Sequence, residues 1–214
     1  MSYAVHQCAI FCNDPRHSHE QAVKWIIRYL IGLIRDDTLG MIFVPNKAMS
    51  IETYVDASFA GEWNQAWSEE PSSVMLRTGY VTRYANCNII WCSKMQTENS
   101  LSTTESEYIA LSQSLRYILP LMELLREIRN TIPSPENIPK LHCTIFEDNK
   151  GCIELVKAPR MRPRTKHIVL KYHHFSRTVT EKQISIQYVD TKLHISDIFT
   201  EALKMRNFVL SERC

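Results

Sequence analysis

Residues 51–61 read IETYVDASFAG. Ile51, Thr53 and Val55 alternate with Glu52, Tyr54 and Asp56, the period of two that marks a strand with one buried face. The run ends on an acid, Asp56, followed by Ala57, Ser58, Ala60 and Gly61, small residues that let a bulky partner approach the backbone. Three further acids stand in comparable settings downstream: Glu107 in STTESEYIAL, Asp148 in IFEDNKG and Asp197 in HISDIFTEAL. Each lies on, or at the end of, a predicted element, in the order strand, helix, strand, helix. Hard divalent cations take oxygen ligands, and two of them about 4 Å apart need several shared carboxylates. The expectation on which the rest depends is that the fold brings these four acids together.

Outward from that strand, residues 62–72 are polar and contain Pro71, a loop signal, and Val74 to Tyr84 with Asn88 to Cys92 read as a hairpin turning at Ala85-Asn86-Cys87. A long helix is predicted from Thr103 to Asn130 on the stripe Thr104, Tyr108, Leu111, Leu115, Ile118, Met122 and Leu125, with a kink at Pro120. After Pro133, Pro135 and Pro139, Leu141 to Phe146 is apolar enough for a central strand. A short helix from Asn149 to Val156, a basic loop over 157–166, a helix from His167 to Thr180, a strand through Ile184, Ile186 and Tyr188, and a closing helix from Ser196 to Leu203 complete the order βββ-α-β-α-α-β-α. That order implies a mixed sheet with helices on its faces. Upstream, residues 1–13 read as irregular. Asp14-Pro15 reads as a helix start, Ala22, Trp25, Ile26, Tyr29, Leu30 and Leu33 as its stripe, and Met41 to Val44 as a short strand. This first segment is too small to bury its own apolar stripe.

Each acid also has an ordinary structural reading. Asp56 is a residue type common at strand ends. Glu107 and Glu105 both suit the first turn of a helix, whose dipole favours acids. Glu107 is preferred as the ligand because Ala110 and Ser114 share its face and would let the helix sit close to the sheet. Asp148 ends the most apolar strand, where open sheets place ligands, while Glu147 points to the opposite side. Asp197 by itself suits a helix N-terminus. The role of His194, three residues earlier, stays open.

The chain has 214 residues, 44% of them hydrophobic, and a formal net charge of +2. The charge is unevenly placed. From Lys157 to Lys182 there are eight Lys or Arg and one acid, against 25 and 23 in the whole chain, so the remainder is net acidic. Arg160, Arg162 and Arg164 alternate around Met161 and Pro163, a pattern suited to phosphate contacts, although most charge runs are solvated surface. The seven cysteines are odd in number and lack paired CxxC spacing, which argues against a disulfide framework or structural zinc and for an intracellular setting. No signal peptide and no membrane span are expected.

Taken together, YVDASFAG, RTGYV, IIWCSKMQTENSLSTTESEYIAL, FEDNKGCIEL, RTKHI with KYHHF, and SDIFTEAL resemble, in order, the ribonuclease H domain of Ty1/copia-type retrotransposon polyproteins. Residues 14–43 resemble the last part of the reverse transcriptase that precedes it; the polymerase YxDD motif is absent. The resemblance implies three segments: 1–46 as the reverse transcriptase tail, 47–204 as the ribonuclease H domain and 205–214 as a C-terminal tail. It implies an α/β, ribonuclease H-like fold with a mixed five-stranded sheet flanked by helices. It implies Asp56, Glu107, Asp148 and Asp197 as catalytic ligands of two Mg²⁺ ions, with Mn²⁺ as a substitute. Ser58, Asn149, Arg160, Arg162, Arg164, Lys166 and His167 are the expected substrate contacts. The implied activity is hydrolysis of the RNA strand of RNA–DNA hybrids. The implied partner is the reverse transcriptase of the same polyprotein, and the implied location a cytoplasmic particle or the nucleus. Departures from the pattern are Val169, where an acid is usual, and Ser106, where Ala is usual. Two rival readings are a catalytically silent module that binds nucleic acid or scaffolds a polymerase, and a DNA-cutting nuclease.

Overall fold

The computed structural model describes residues 1–36, 40–46, 50–59, 76–98, 100–132, 140–157, 177 and 184–202. Its centre is a five-stranded mixed sheet flanked by helices, as expected, in the order β3-β2-β1-β4-β5. The strands are β1 (Ile51–Ser58), β2 (Arg77–Tyr84), β3 (Cys87–Met95), β4 (Cys143–Glu147) and β5 (Ile184–Tyr188). The alternation read from the sequence decides the faces: Ile51, Thr53, Val55 and Ala57 are buried, and Glu52, Tyr54, Asp56 and Ser58 lie on the other side. β2 and β3 form the expected hairpin. Ala85 and Asn86, at φ 51° and 69°, supply the two left-handed residues that a twisted two-residue turn requires. β1 runs antiparallel to β2, and β4 runs parallel to both β1 and β5.

Helix α3 (Thr103–Thr131) covers the buried face. Its predicted stripe enters the core, where Tyr108, Leu111, Leu115, Ile118 and Met122 pack with Ile51, Val55, Ile145 and Ile184, all at most 2% exposed. Pro120 sits inside the helix without ending it. Helix α4 (Lys150–Lys157) follows β4 directly, capped by the Asn149 side chain, which accepts from the Cys152 N–H at 3.0 Å.

Four expectations are corrected. Residues 2–10 are not irregular but form helix α1 (Ser2–Ile10), held against β3 by Arg77, whose guanidinium donates to Gln7 and lies over the Tyr3 ring. The next helix, α2 (His17–Arg35), starts two residues beyond Pro15, where His19 Nδ1 accepts from the Arg16 N–H. Residues 41–44 form no strand: Ile42 is 80% exposed, and among the described residues no strand lies alongside to complete a ladder. The described part of the predicted closing helix is instead a short 3-10 turn, Ile195–Phe199, preceded by another at Thr191–Leu193. The predicted loop 157–166 and the helix 167–180 fall almost entirely outside the described residues.

Candidate metal centre

The strand register brings the first two acids together. β1 and β4 are parallel, with Tyr54 opposite Phe146. Two residues further on stand Asp56, on β1, and Asp148, just past the end of β4, so both acids emerge at the same end of the sheet although they are far apart in sequence. Beneath them Tyr54 and Phe146 stack with ring centroids 4.7 Å apart, an apolar floor under two carboxylates.

Glu107 arrives from α3. Ser102 caps this helix by accepting from the Glu105 N–H at 3.2 Å, and Glu105 itself turns back to the Leu101 N–H at 2.8 Å. Glu105 is thus spent on the helix start. One half-turn later Glu107 is buried and meets the Ala57 backbone N–H and the other acids. Gln96 fixes the depth of the helix: its side-chain amide donates to Thr78 on β2 at 3.1 Å and to the Ser106 carbonyl at 3.0 Å.

The fourth acid comes from the C-terminal turns, which lie on the Asp56 face of β1 and β2. Gly79 is opposite Asp56 in the β1–β2 ladder, and its missing side chain makes the room. A Cβ there would lie 2.6 Å from Thr200 Cγ2 and 2.9 Å from Phe199 Cβ. Ser93 Oγ then donates to the Phe199 carbonyl at 2.5 Å, clamping the turn to β3. Seated in this way, the segment brings three side chains to the acids. The Thr191 hydroxyl donates to Asp148 at 2.6 Å, His194 Nδ1 meets Asp197 Oδ1 at 3.0 Å, and the Thr200 hydroxyl donates to Asp56. His194 also faces the Phe146 carbonyl through Nε2 at 3.4 Å.

The result is two overlapping groups, Asp56–Glu107–Asp148 and Asp56–His194–Asp197, each with its ligand atoms within 4.8 Å of one another. Burial pushes the Asp56 carboxyl up to about 6, with Asp197 and Asp148 adding repulsion and the Thr200 hydroxyl and His194 opposing it. Burial likewise raises Glu107, and repulsion from Glu147 adds to it. Glu147 points to the core side, as expected, is fully buried, and is raised for the same reason. Burial works against a charge on His194, but its bond to Asp197 and the surrounding acids outweigh this and raise it. Among the described residues, Glu107 Oε2 and Glu147 Oε2 are buried oxygens without a hydrogen-bond partner. A buried carboxylate oxygen left without a donor is costly, and a cation relieves it. The oxygen-only group fits a hard divalent ion; the second group adds one imidazole.

The structure therefore gathers all four acids singled out in the sequence and separates Glu105 from them. Ser58 ends β1 half-buried, and Asn149 Oδ1 is engaged as the α4 cap. Arg160, Arg162, Arg164, Lys166 and His167 lie outside the described residues. Sequence reasoning did not single out Thr191, Thr200, Gly79, Ser93 or Gln96. The last four sit in the stretches SDIFTEAL, RTGYV and IIWCSKMQ, whose resemblance to the family was the available signal.

No family model matches the chain. It is 28% identical over 210 residues, 98% of its length, to the retrovirus-related Pol polyprotein from transposon TNT 1-94 of Nicotiana tabacum. It is 28% identical over 208 residues, 97% of its length, to the Pol polyprotein from transposon RE1 of Arabidopsis thaliana. The chain spans 14% and 13% of those two relatives. Among solved structures it resembles LC11-RNase H1, isolated from compost, with a TM-score of 0.45 and 13% identity over 71% of this chain and 93% of that one. The relatives that match nearly the whole of this chain are thus Pol polyproteins of plant copia-type transposons, to which it is similar.

Proposed function

We propose that this chain is the ribonuclease H part of a retrotransposon polyprotein, a metal-dependent endonuclease that hydrolyses the RNA strand of RNA–DNA hybrids during reverse transcription. The observation that carries the reading is the convergence of acids from four separate elements into two groups that share Asp56. Asp56, Glu107 and Asp148 would hold one Mg²⁺ or Mn²⁺ ion, and Asp56 with Asp197 a second, His194 standing beside them. Ions held there would supply activation of a water and stabilisation of the negative charge in phosphodiester hydrolysis, which would leave 5′-phosphate and 3′-hydroxyl ends.

The remaining work belongs to the protein. Tyr54 and Phe146 keep the floor of the site apolar, and the C-terminal segment orients three of the acids. Preference for RNA rests on 2′-hydroxyl contacts, for which the end of β1 near Ser58 and the amide nitrogen of Asn149 are the candidates. The arginines of the 160–167 segment supply phosphate contacts to the DNA strand, so hybrid binding weakens with salt.

Residues 1–46 are the tail of the reverse transcriptase, 47–204 the ribonuclease H domain and 205–214 a C-terminal tail. The attached polymerase is the natural cover for α2, which has no buried residue and leaves Trp25 66% and Ile34 79% exposed. Among the described residues no helix is long and apolar enough to cross a membrane. The expected location is a cytoplasmic particle or the nucleus.

The test is cleavage of an end-labelled RNA–DNA hybrid by the purified chain with Mg²⁺ or Mn²⁺, with EDTA, and by Asp148→Asn. The expected result is metal-dependent cutting of the RNA strand that Asp148→Asn abolishes. Tight hybrid binding without cutting, even with the polymerase supplied in cis, would establish a silent binding module instead. Equal cutting of a DNA duplex would refute the substrate assignment.

A further inference from the structure

We infer that Thr200 is a positioning residue that sets the orientation of Asp56, the one acid common to both groups. This deepens the nuclease reading and rests on it. Thr200 is 4% exposed and closes the last 3-10 turn. Its hydroxyl donates to Asp56 Oδ2, 144 positions away in the chain. The other acceptor within reach is the Asp197 carbonyl of its own turn, at 3.1 Å. A hydroxyl carries one proton, and Asp56 is the nearer and charged acceptor, so the bond goes there.

Thr200 is itself held on two sides. Its Cγ2 methyl faces the bare Cα of Gly79, the notch in β2 that a Cβ would fill to within 2.6 Å. The preceding residue is anchored by Ser93 Oγ on the Phe199 carbonyl at 2.5 Å. With the methyl in the notch and the backbone clamped, the hydroxyl is aimed at Asp56.

A carboxylate otherwise rotates freely about its Cβ–Cγ bond. A donor fixed on one oxygen removes that freedom and sets where the remaining lone pairs point. A neutral hydroxyl does this without cancelling the negative charge that a cation needs; a lysine or arginine in the same place would neutralise it. The same segment meets Asp148 in the same manner, through the Thr191 hydroxyl at 2.6 Å, and within it the His194 imidazole lies 3.0 Å from Asp197. Residues 191–200 therefore act as a clasp that carries Asp197 and reaches Asp56 on β1 and Asp148 after β4. Partners of this kind, which touch a ligand rather than the metal, typically change metal affinity or activity by about 10- to 100-fold when removed.

The experiment compares Thr200→Val, which keeps the methyl and loses the hydroxyl, with Thr200→Ser, which keeps the hydroxyl and loses the methyl, in the full chain. Mn²⁺ binding without substrate is measured by calorimetry, alongside kcat and KM on the hybrid. In Thr200→Val, Mn²⁺ affinity and kcat should each fall about 10- to 100-fold with KM nearly unchanged, and Thr200→Ser should recover most of both. Should Thr200→Val fail to fold, Thr200→Ala replaces it with the same expected loss. Mn²⁺ affinity at the parent level in Thr200→Val, or a Thr200→Ser as defective as Thr200→Val, overturns the assignment, the latter showing that the methyl in the Gly79 notch is what matters. A parent that neither binds Mn²⁺ nor cleaves overturns the nuclease reading and this inference together. A parent that does both beside an unaffected Thr200→Val overturns this inference alone.

Discussion

Replacing Gly79 by alanine tests how the fourth acid is delivered. The new methyl carbon would start 2.6 Å from Thr200 Cγ2, 2.9 Å from Phe199 Cβ and 3.2 Å from the Ser196 carbonyl oxygen. Carbon atoms prefer separations of about 3.5–4.0 Å, so the C-terminal turn must lift by roughly 1 Å. Two of the three obstructing atoms are a Cβ and a backbone oxygen, which cannot rotate away. Overpacking of this kind costs about 1–3 kcal/mol. For a chain of this size each kcal/mol lowers Tm by roughly 2–4 °C, so a drop of about 2–12 °C is expected. The same displacement carries Asp197 and Thr200 away from Asp56, and a misplacement of about 1 Å costs on the order of 100-fold in rate. The assays are a thermal melt and single-turnover cleavage of an RNA–DNA hybrid. The sign is decisive. Gly79 does not have a positive φ, so alanine meets no backbone penalty, and at an open strand position Gly→Ala stabilises by about 0.4–1 kcal/mol. A Gly79→Ala chain that melts at or above the parent temperature and cleaves normally would show that the turn does not sit on β2.

Two further outcomes follow from the buried acids and thiols. Asp56, Glu107 and Glu147 have raised pKa values, so the folded state binds more protons than the unfolded one, and stability falls as pH rises from about 4 through about 6 and beyond. His194, also raised, loses its contribution in the same direction as pH rises. Without divalent ions Tm should therefore be lower at pH 8 than at pH 5, and Mg²⁺ should restore part of the difference at pH 8 and little at pH 5; a flat pH profile, or equal rescue at both values, would contradict this. Cys12 is exposed, whereas Cys143 is fully buried with its thiol pushed up to about 12, and Cys152 is fully buried and also raised. Since the thiolate is the nucleophile, iodoacetamide on the native chain should label Cys12 and spare Cys143 and Cys152, as peptide mass mapping would reveal.

The parts of the fold legible in the sequence are those whose own residues settle their conformation. β1 alternates cleanly, Ala85-Asn86 breaks a hairpin, and α3 carries a long helical stripe; each was placed within a few residues. The misreadings share one cause. α1 lacks a clear apolar stripe and is held by Arg77 from β2, a residue 70 positions beyond its partner Gln7. Residues 41–44 have strand-like composition, but a strand exists only where another completes its hydrogen bonds. The closing helix is cut into short turns that stay in place because Gly79 leaves room and Ser93 holds the Phe199 carbonyl.

The site divides in the same way. The sequence by itself singled out the four acids, because each ends an element or opens one, and the quoted motifs resembled a family in order. Only the tertiary structure decided that Asp56 and Asp148 emerge side by side, through the Tyr54–Phe146 register, that Glu107 turns inward while Glu105 serves its helix, and that Thr191, His194 and Thr200 reach the acids. Periodicity reports on contacts within a few residues along the chain. The distance between carboxylates on different elements depends on strand register and on how closely backbones approach, and local patterning carries neither.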